Sequence, residues 1–133
     1  MASHKAEYRR VGREYIKNYR TQEGVQETPC GLPYRVIEQG DGPVPNEGSY
    51  VQVYYRGTFV DGTEFDSNMD EQVPMAIRIR EVIEGWKIIL QHMPQGSTYE
   101  VVIPYELAYG TKNSPGIKAF STLIFTIKLT MVA

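Results

Sequence analysis

Cysteine and histidine are scarce in this 133-residue chain. Cys30 is the single cysteine, so no internal disulfide and no cysteine-ligated zinc cluster can form. The two histidines, His4 and His92, lie far apart in sequence, and each reads as a solvated surface residue rather than a ligand. Asp66-Ser67-Asn68-Met69-Asp70 begins like a calcium loop. Its turn needs glycine where Glu71 stands, and its closing bidentate carboxylate is Ile77, so the calcium reading fails. No Gly-x-Ser-x-Gly elbow, phosphate-binding glycine loop or paired-histidine metal motif is present, and no metal or other cofactor is expected. What the chain has instead is rings: ten Tyr, four Phe and one Trp. Such rings build either an ordinary core or a dry hollow in which a polar bond loses its water. Tyr55, Phe65, Trp86, Tyr109 and Phe125 are spread over strand faces, a helix and a late loop, where they could converge.

The elements that would position them start with Glu81 to Met93. Trp86, Ile89, Leu90 and Met93 recur at helical spacing, and Pro94 and Gly96 end the run. Period-two segments lie on both sides of it, and a twisted antiparallel sheet wrapped around one apolar helix buries both. Trp86 would then be the floor of whatever hollow the sheet leaves open. The strands are read at Tyr34 to Glu38, Tyr50 to Arg56, Met75 to Arg78 and Thr98 to Ile103. Thr58-Phe59-Val60 and Thr63-Glu64-Phe65 flank Asp61-Gly62, a hairpin signal. In the last strand Leu123, Phe125, Ile127, Leu129 and Met131 alternate with Thr122, Ile124, Thr126, Lys128 and Thr130, predicting that the first set faces the helix. Residues 105–121, with Gly110, Pro115 and Gly116, read as a long functional loop.

Ahead of this, residues 5–20 predict a helix whose Tyr8, Val11, Tyr15 and Tyr19, widened by Ile16, form one stripe. Gly12 weakens it by about 1 kcal/mol relative to alanine. A lone short helix is marginal in water, so the stripe must dock on its own domain or on a second copy. The expected fold class is α+β: a five- or six-stranded antiparallel half-barrel sheet wrapped on one central helix, with an extra N-terminal helix. The expected division is a basic amphipathic helix at 1–22, a linker at 23–33 and one globular domain at 34–133.

The composition, 41% hydrophobic and 23% charged, is that of an ordinary soluble domain. No run approaches the roughly 18 apolar residues of a membrane span. Lys5, Arg9, Arg10, Arg13, Lys17 and Arg20 stand against Glu7 and Glu14, a local balance of +4 in a chain whose net charge is −2. Such a segment suits nucleic acid or anionic lipid. No RNA-binding motif or zinc finger accompanies it, and a solvated helix face explains it about as well, so no nucleic-acid partner is expected.

Val53-Tyr54-Tyr55-Arg56-Gly57-Thr58, then Asp61-Gly62-Thr63-Glu64-Phe65-Asp66-Ser67, resemble the FKBP-type peptidyl-prolyl cis-trans isomerases. So do Glu81-Val82-Ile83-Glu84-Gly85-Trp86, Glu106-Leu107-Ala108-Tyr109-Gly110 and Ser121-Thr122-Leu123-Ile124-Phe125. The blocks stand in the family's order across residues 32 to 131. The lead-in Thr28-Pro29-Cys30-Gly31-Leu32-Pro33-Tyr34 looks like that of bacterial envelope members, which often carry an N-terminal helical dimerisation segment.

The resemblance implies an isomerase and folding catalyst, possessing chaperone character in some members, that turns Xaa-Pro bonds without covalent catalysis. Trp86 would seat the proline ring, walled by Tyr55, Phe65, Val82, Ile83 and Phe125. The Tyr109 hydroxyl and the Ile83 N–H would hold substrate carbonyls, Asp66 would sit at the pocket edge, and Ile117 would form a flap over the opening. It also implies proline-containing polypeptides as partners, macrolide inhibitors such as tacrolimus and rapamycin, and a homodimer through the N-terminal helix. The compartment implied is the periplasm or cell envelope, or the cytoplasm if Met1 is the native start. Two departures stand out. Met75 replaces an aromatic common in the family, its thioether still able to fill the wall. Ser114 to Phe120 lacks the usual proline pair, which alters the flap. A non-catalytic proline-peptide module on the same fold is the rival reading.

Overall fold

The computed structural model of the chain describes residues 4–133. Residues 1–3, the expected start of the helical segment, and the side chain of His4 lie outside the described residues. Helix α1 spans His4–Tyr19. Strands follow at β1 Val25–Glu27, β2 Pro33–Glu38, β3 Tyr50–Phe59, β4 Glu64–Ser67 and β5 Met75–Arg78. A 3-10 turn, Ile79–Glu81, leads into helix α2, Glu84–Leu90. Strands β6, Thr98–Ile103, and β7, Leu123–Val132, complete the fold, with a second 3-10 turn at Tyr105–Leu107 between them.

The seven strands form one antiparallel sheet ordered β1-β2-β6-β7-β3-β4, and β5 pairs β3 off this path. The ten-residue β3 serves two partners end to end: Tyr50 to Val53 pair with β5, and Arg56 to Thr58 with β4. The α+β sheet on a central helix agrees with the sequence reading, but the strand count exceeds the five or six expected. One extra strand, β1, lies inside the segment read as a linker, 23–33. Its pairing with β2 and the burial of Thr28 and Leu32 make that segment part of the sheet. The glycines and prolines there mark turns, not a tether.

The core lies between α2 and one sheet face. Val51, Val53, Ile79, Ile89, Leu90, Met93, Leu123, Ile127 and Leu129 are each no more than 1% exposed. Helix α2 is shorter than the run from Glu81 to Met93, because Val82 and Ile83 adopt extended backbone after the 3-10 turn. Gly85 lets the helix press on β6: a Cβ there would stand 2.6 Å from Ile103 side-chain atoms.

Strand β7 corrects the alternation argument at both ends. Ile124, read on the polar face, is 7% exposed because α1 covers that face. Met131, read as inward, is 42% exposed. The β3–β7 register slips between Gln52 and Val53, so Thr130 is the extra residue and the side-chain phase reverses beyond it. Val132 packs against the core in place of Met131.

Helix α1 docks on its own sheet. Ile16 and Tyr19 are 7% and 2% exposed against Val102 and Ile124, and the Tyr19 hydroxyl donates to Glu100 at 2.9 Å. Arg10, Arg13 and Lys17 face solvent. Gly12 has a different use from the one its helix propensity suggests. A Cβ at that position would stand 2.2 Å from Thr122 Oγ1 and 3.0 Å from Thr122 Cβ, so glycine permits the close approach of helix and sheet. Gly12→Ala is therefore expected to destabilise the protein by about 1–3 kcal/mol. Propensity alone predicts a gain of about 1 kcal/mol. Thermal unfolding decides between them, and a raised Tm for the variant would refute the packing argument.

Candidate active site

Sequence positions 55 to 125 contribute to one cleft of about 320 Å³ at the end of α2. Strand β3 supplies Tyr55, β4 supplies Phe65 and Asp66, and β5 supplies Met75. Val82 and Ile83 come from the extended link before α2, Trp86 from the helix, Tyr109 from the late loop and Phe125 from β7. Nine of the ten residues singled out by sequence thus line one hollow.

The rings brace each other through edges. Trp86 meets Tyr55 at 5.2 Å between centroids and 76° between planes, and Phe125 at 5.2 Å and 88°. Phe125 also meets Phe65 at 5.6 Å and 84°. Edge-to-face pairs of this kind contribute roughly 0.5–1.5 kcal/mol each beyond the area they bury. They hold the rings upright, so the cleft does not collapse. Trp86 is 5% exposed and forms the floor; its Nε1 is buried without a hydrogen-bond partner among the described residues. Gly57 sits behind two of the walls, and a Cβ there would come within 2.5 Å of Phe65 and 2.8 Å of Phe125.

Several polar groups border the cleft. The Tyr55 hydroxyl donates to Asp66 Oδ2 at 2.6 Å. Tyr109, 42% exposed, stands at the mouth. Ile83 caps α2 in extended backbone, and among the described residues its N–H has no backbone acceptor. Glu81, which sequence reasoning passed over, adds a second carboxylate to the lining. Asn68 was also missed as a site residue. It takes the Tyr55 N–H on Oδ1 at 2.6 Å and gives its Nδ2 to the Val53 carbonyl at 3.1 Å, pinning the strand that carries Tyr55. The run that began like a calcium loop is thus a brace for β3.

Ile117, expected as a flap over the opening, is not among the residues that line the cleft. It is 7% exposed within the hydrophobic core cluster and exchanges backbone hydrogen bonds with Ser114 at 2.8 and 2.9 Å. The tight bridge fixes the backbone of a residue whose side chain packs in the core. Among the described residues, no group of three or more His, Cys, Asp or Glu could hold a metal ion, and no helix is long and apolar enough to cross a membrane.

Burial, the Asp66 hydrogen bond and the Asp66 charge all raise the Tyr55 phenol above its usual range. Burial and then Asp66 raise Tyr109, and burial and then Glu100 raise Tyr19. Each phenol holds its proton more tightly in the folded chain than in the unfolded one. As pH climbs past about 10, the unfolded chain releases protons first, so stability present below that pH is lost above it. Denaturant unfolding across pH 8 to 11 is expected to show this fall, shallower in Tyr55→Phe. An identical slope in that variant would remove Tyr55 from the account.

The family model described as FKBP-type peptidyl-prolyl cis-trans isomerase matches residues 42–130. The FKBP-type 22 kDa peptidyl-prolyl cis-trans isomerase of Escherichia coli K12 is 42% identical over 119 residues, 89% of this chain and 58% of that protein. FkpA, an FKBP-type peptidyl-prolyl cis-trans isomerase of the same organism, is 40% identical over 118 residues, 89% of this chain and 44% of that one. The chain thus spans about half the length of these curated relatives. The crystal structure of a peptidyl-prolyl cis-trans isomerase from Pseudomonas syringae superposes with a TM-score of 0.91 at 30% identity, covering 100% of this chain and 98% of that one.

Proposed function

The chain belongs to the FKBP-type peptidyl-prolyl cis-trans isomerases, and we propose that it turns Xaa-Pro bonds of polypeptides in the cleft above Trp86. The observation that carries this is the set of mutually braced rings, Tyr55, Phe65, Trp86 and Phe125, lining one cleft.

An Xaa-Pro bond exchanges over tens to hundreds of seconds unaided, because amide resonance keeps it planar behind a barrier of about 18–20 kcal/mol. That resonance places charge on the carbonyl oxygen and is favoured by water. In a cleft lined by carbon the planar form loses this solvation, while the twisted form, with less charge separation, loses less. The proline ring would lie on Trp86, and the upright walls leave it room to stay still while the preceding carbonyl rotates. The free Ile83 N–H and the Tyr109 hydroxyl would hold carbonyls on either side of the bond, at the rim where the cleft meets solvent. Asp66 would act through Tyr55, fixing its ring by the 2.6 Å hydrogen bond. Each ~1.4 kcal/mol gained by the twisted form is tenfold in rate.

Macrolides such as tacrolimus and rapamycin would compete for the same floor. A second copy pairing through α1 would have to use surface other than Ile16 and Tyr19, which the sheet already covers. The test is a protease-coupled assay on a short Xaa-Pro peptide, read beside quenching of Trp86 fluorescence, the chain having no other tryptophan. Catalysis that tacrolimus suppresses is the expected result. Rates equal to buffer, with peptide still perturbing Trp86, would leave a proline-binding module without catalysis.

A further inference from the structure

The loop of residues 105–121 carries Tyr109 to the cleft, and its two ends meet at a single ring that α1 covers. Phe120, near the far end, has φ +64°, the left-handed region that costs a non-glycine residue. Three contacts hold it there. Its N–H donates to the Gly110 carbonyl at 3.0 Å, one residue beyond Tyr109. Its ring meets Tyr105 at 4.8 Å and 65°, closing the loop's base. The guanidinium of Arg9, from α1, lies 4.6 Å from the centroid of that same ring. Arg9 Nε is buried and has no hydrogen-bond partner among the described residues, so the ring is its evident companion. The close approach of Gly12 to Thr122, two residues past Phe120, sets the height of the helix over this segment.

We propose that Arg9 and Phe120 are positioning residues for Tyr109: α1 clamps the base of the 105–121 loop and thereby sets where the Tyr109 hydroxyl stands over the cleft. The catalytic part of this inference rests on the isomerase reading; the ordering of the loop does not. Without the cation, Phe120 has less reason to stay in a strained backbone. Release of Phe120 frees its hydrogen bond to Gly110, and Tyr109 sits on the freed side. Ile16 and Tyr19 still anchor the helix, so the fold survives the change. The N-terminal helix is on this view part of the catalytic unit rather than an appendage.

The test pairs hydrogen exchange with a mutant cycle on the whole chain. Arg9→Ala is expected to speed amide exchange within 105–121 by about three- to tenfold while α2 and β7 stay protected. It should also lower kcat/KM on an Xaa-Pro peptide about threefold or more, with Arg9→Lys recovering part of the loss. In a Tyr109→Phe background the kinetic effect of Arg9→Ala should vanish, because Arg9 acts only through that hydroxyl. Unchanged exchange across 105–121 overturns the proposal, and so does an equal kinetic loss in both backgrounds. If the intact chain proves inactive, the isomerase reading fails, and the exchange experiment still decides whether α1 orders the loop.

Discussion

Phe125→Ala is expected to lower stability by about 3–5 kcal/mol and to abolish most of the isomerase activity proposed above. Phe125 is 4% exposed and lies within 6.5 Å, centroid to centroid, of three other rings, Tyr55, Phe65 and Trp86. It is paired across the sheet with Gly57 on β3 and Val101 on β6, so the void left by its loss sits in the middle of the sheet, where little backbone can move to fill it. The same void opens beside the cleft floor, letting Trp86 tilt and water enter. Two costs of different origin then fall on one residue. Phe125→Leu, which keeps most of the volume, should recover much of the stability and little of the activity, because the upright edge contacts are gone. Denaturant unfolding and the peptide assay, both run well below the variant's Tm, separate the two. Stability loss of less than about 1 kcal/mol would contradict the packing described here.

Phe65→Ala and Tyr109→Ala should reverse that balance, with activity falling tenfold or more and stability changing far less. A tenfold loss corresponds to about 1.4 kcal/mol of transition-state stabilisation, which a wall ring or one carbonyl contact can supply. Phe65 is half-buried and Tyr109 is 42% exposed, so neither truncation opens a closed cavity. The two should differ in kind. Tyr109→Phe removes only the hydroxyl and should resemble Tyr109→Ala if hydrogen bonding to substrate is its task, whereas Phe65→Leu should be the milder of the Phe65 changes. Wild-type kcat/KM in both alanine variants would place the reaction elsewhere than in this cleft.

Much of this arrangement was legible in the residue order because period-two and helical spacing are local. Tyr55 falls on the inner face of β3 by alternation from Val51 and Val53, and Trp86 on the apolar side of α2 by its spacing from Ile89, Leu90 and Met93. The misreadings share one cause: each was settled by a pairing or contact that residue spacing does not encode. Met131 faces solvent because of a slip against Gln52 on another strand. Ile124 is buried by a helix more than a hundred residues earlier in the chain. Val25–Glu27, inside the segment read as a linker, became a strand because β2 offered an edge. Ile117 turned inward on a two-bond bridge that spacing cannot reveal. Gly12 is the clearest case, since its helix propensity and its contact with Thr122 argue for opposite signs. Asn68 did leave a local trace, in a polar turn rich in Asp, Ser and Asn, but such turns brace backbone more often than they bind ions.

The place of β7 has a consequence for how the molecule comes into being. This last strand of the described chain lies in the interior of the sheet order, between β6 and β3. A chain still emerging from the ribosome without it would hold β3 and β6 apart, each with an open edge, and would have no Phe125. Such pairings between distant segments are also the slow ones to form. On the isomerase reading, the cleft would therefore be complete only once β7 has been made, and β3 and β6 would wait with open edges until then.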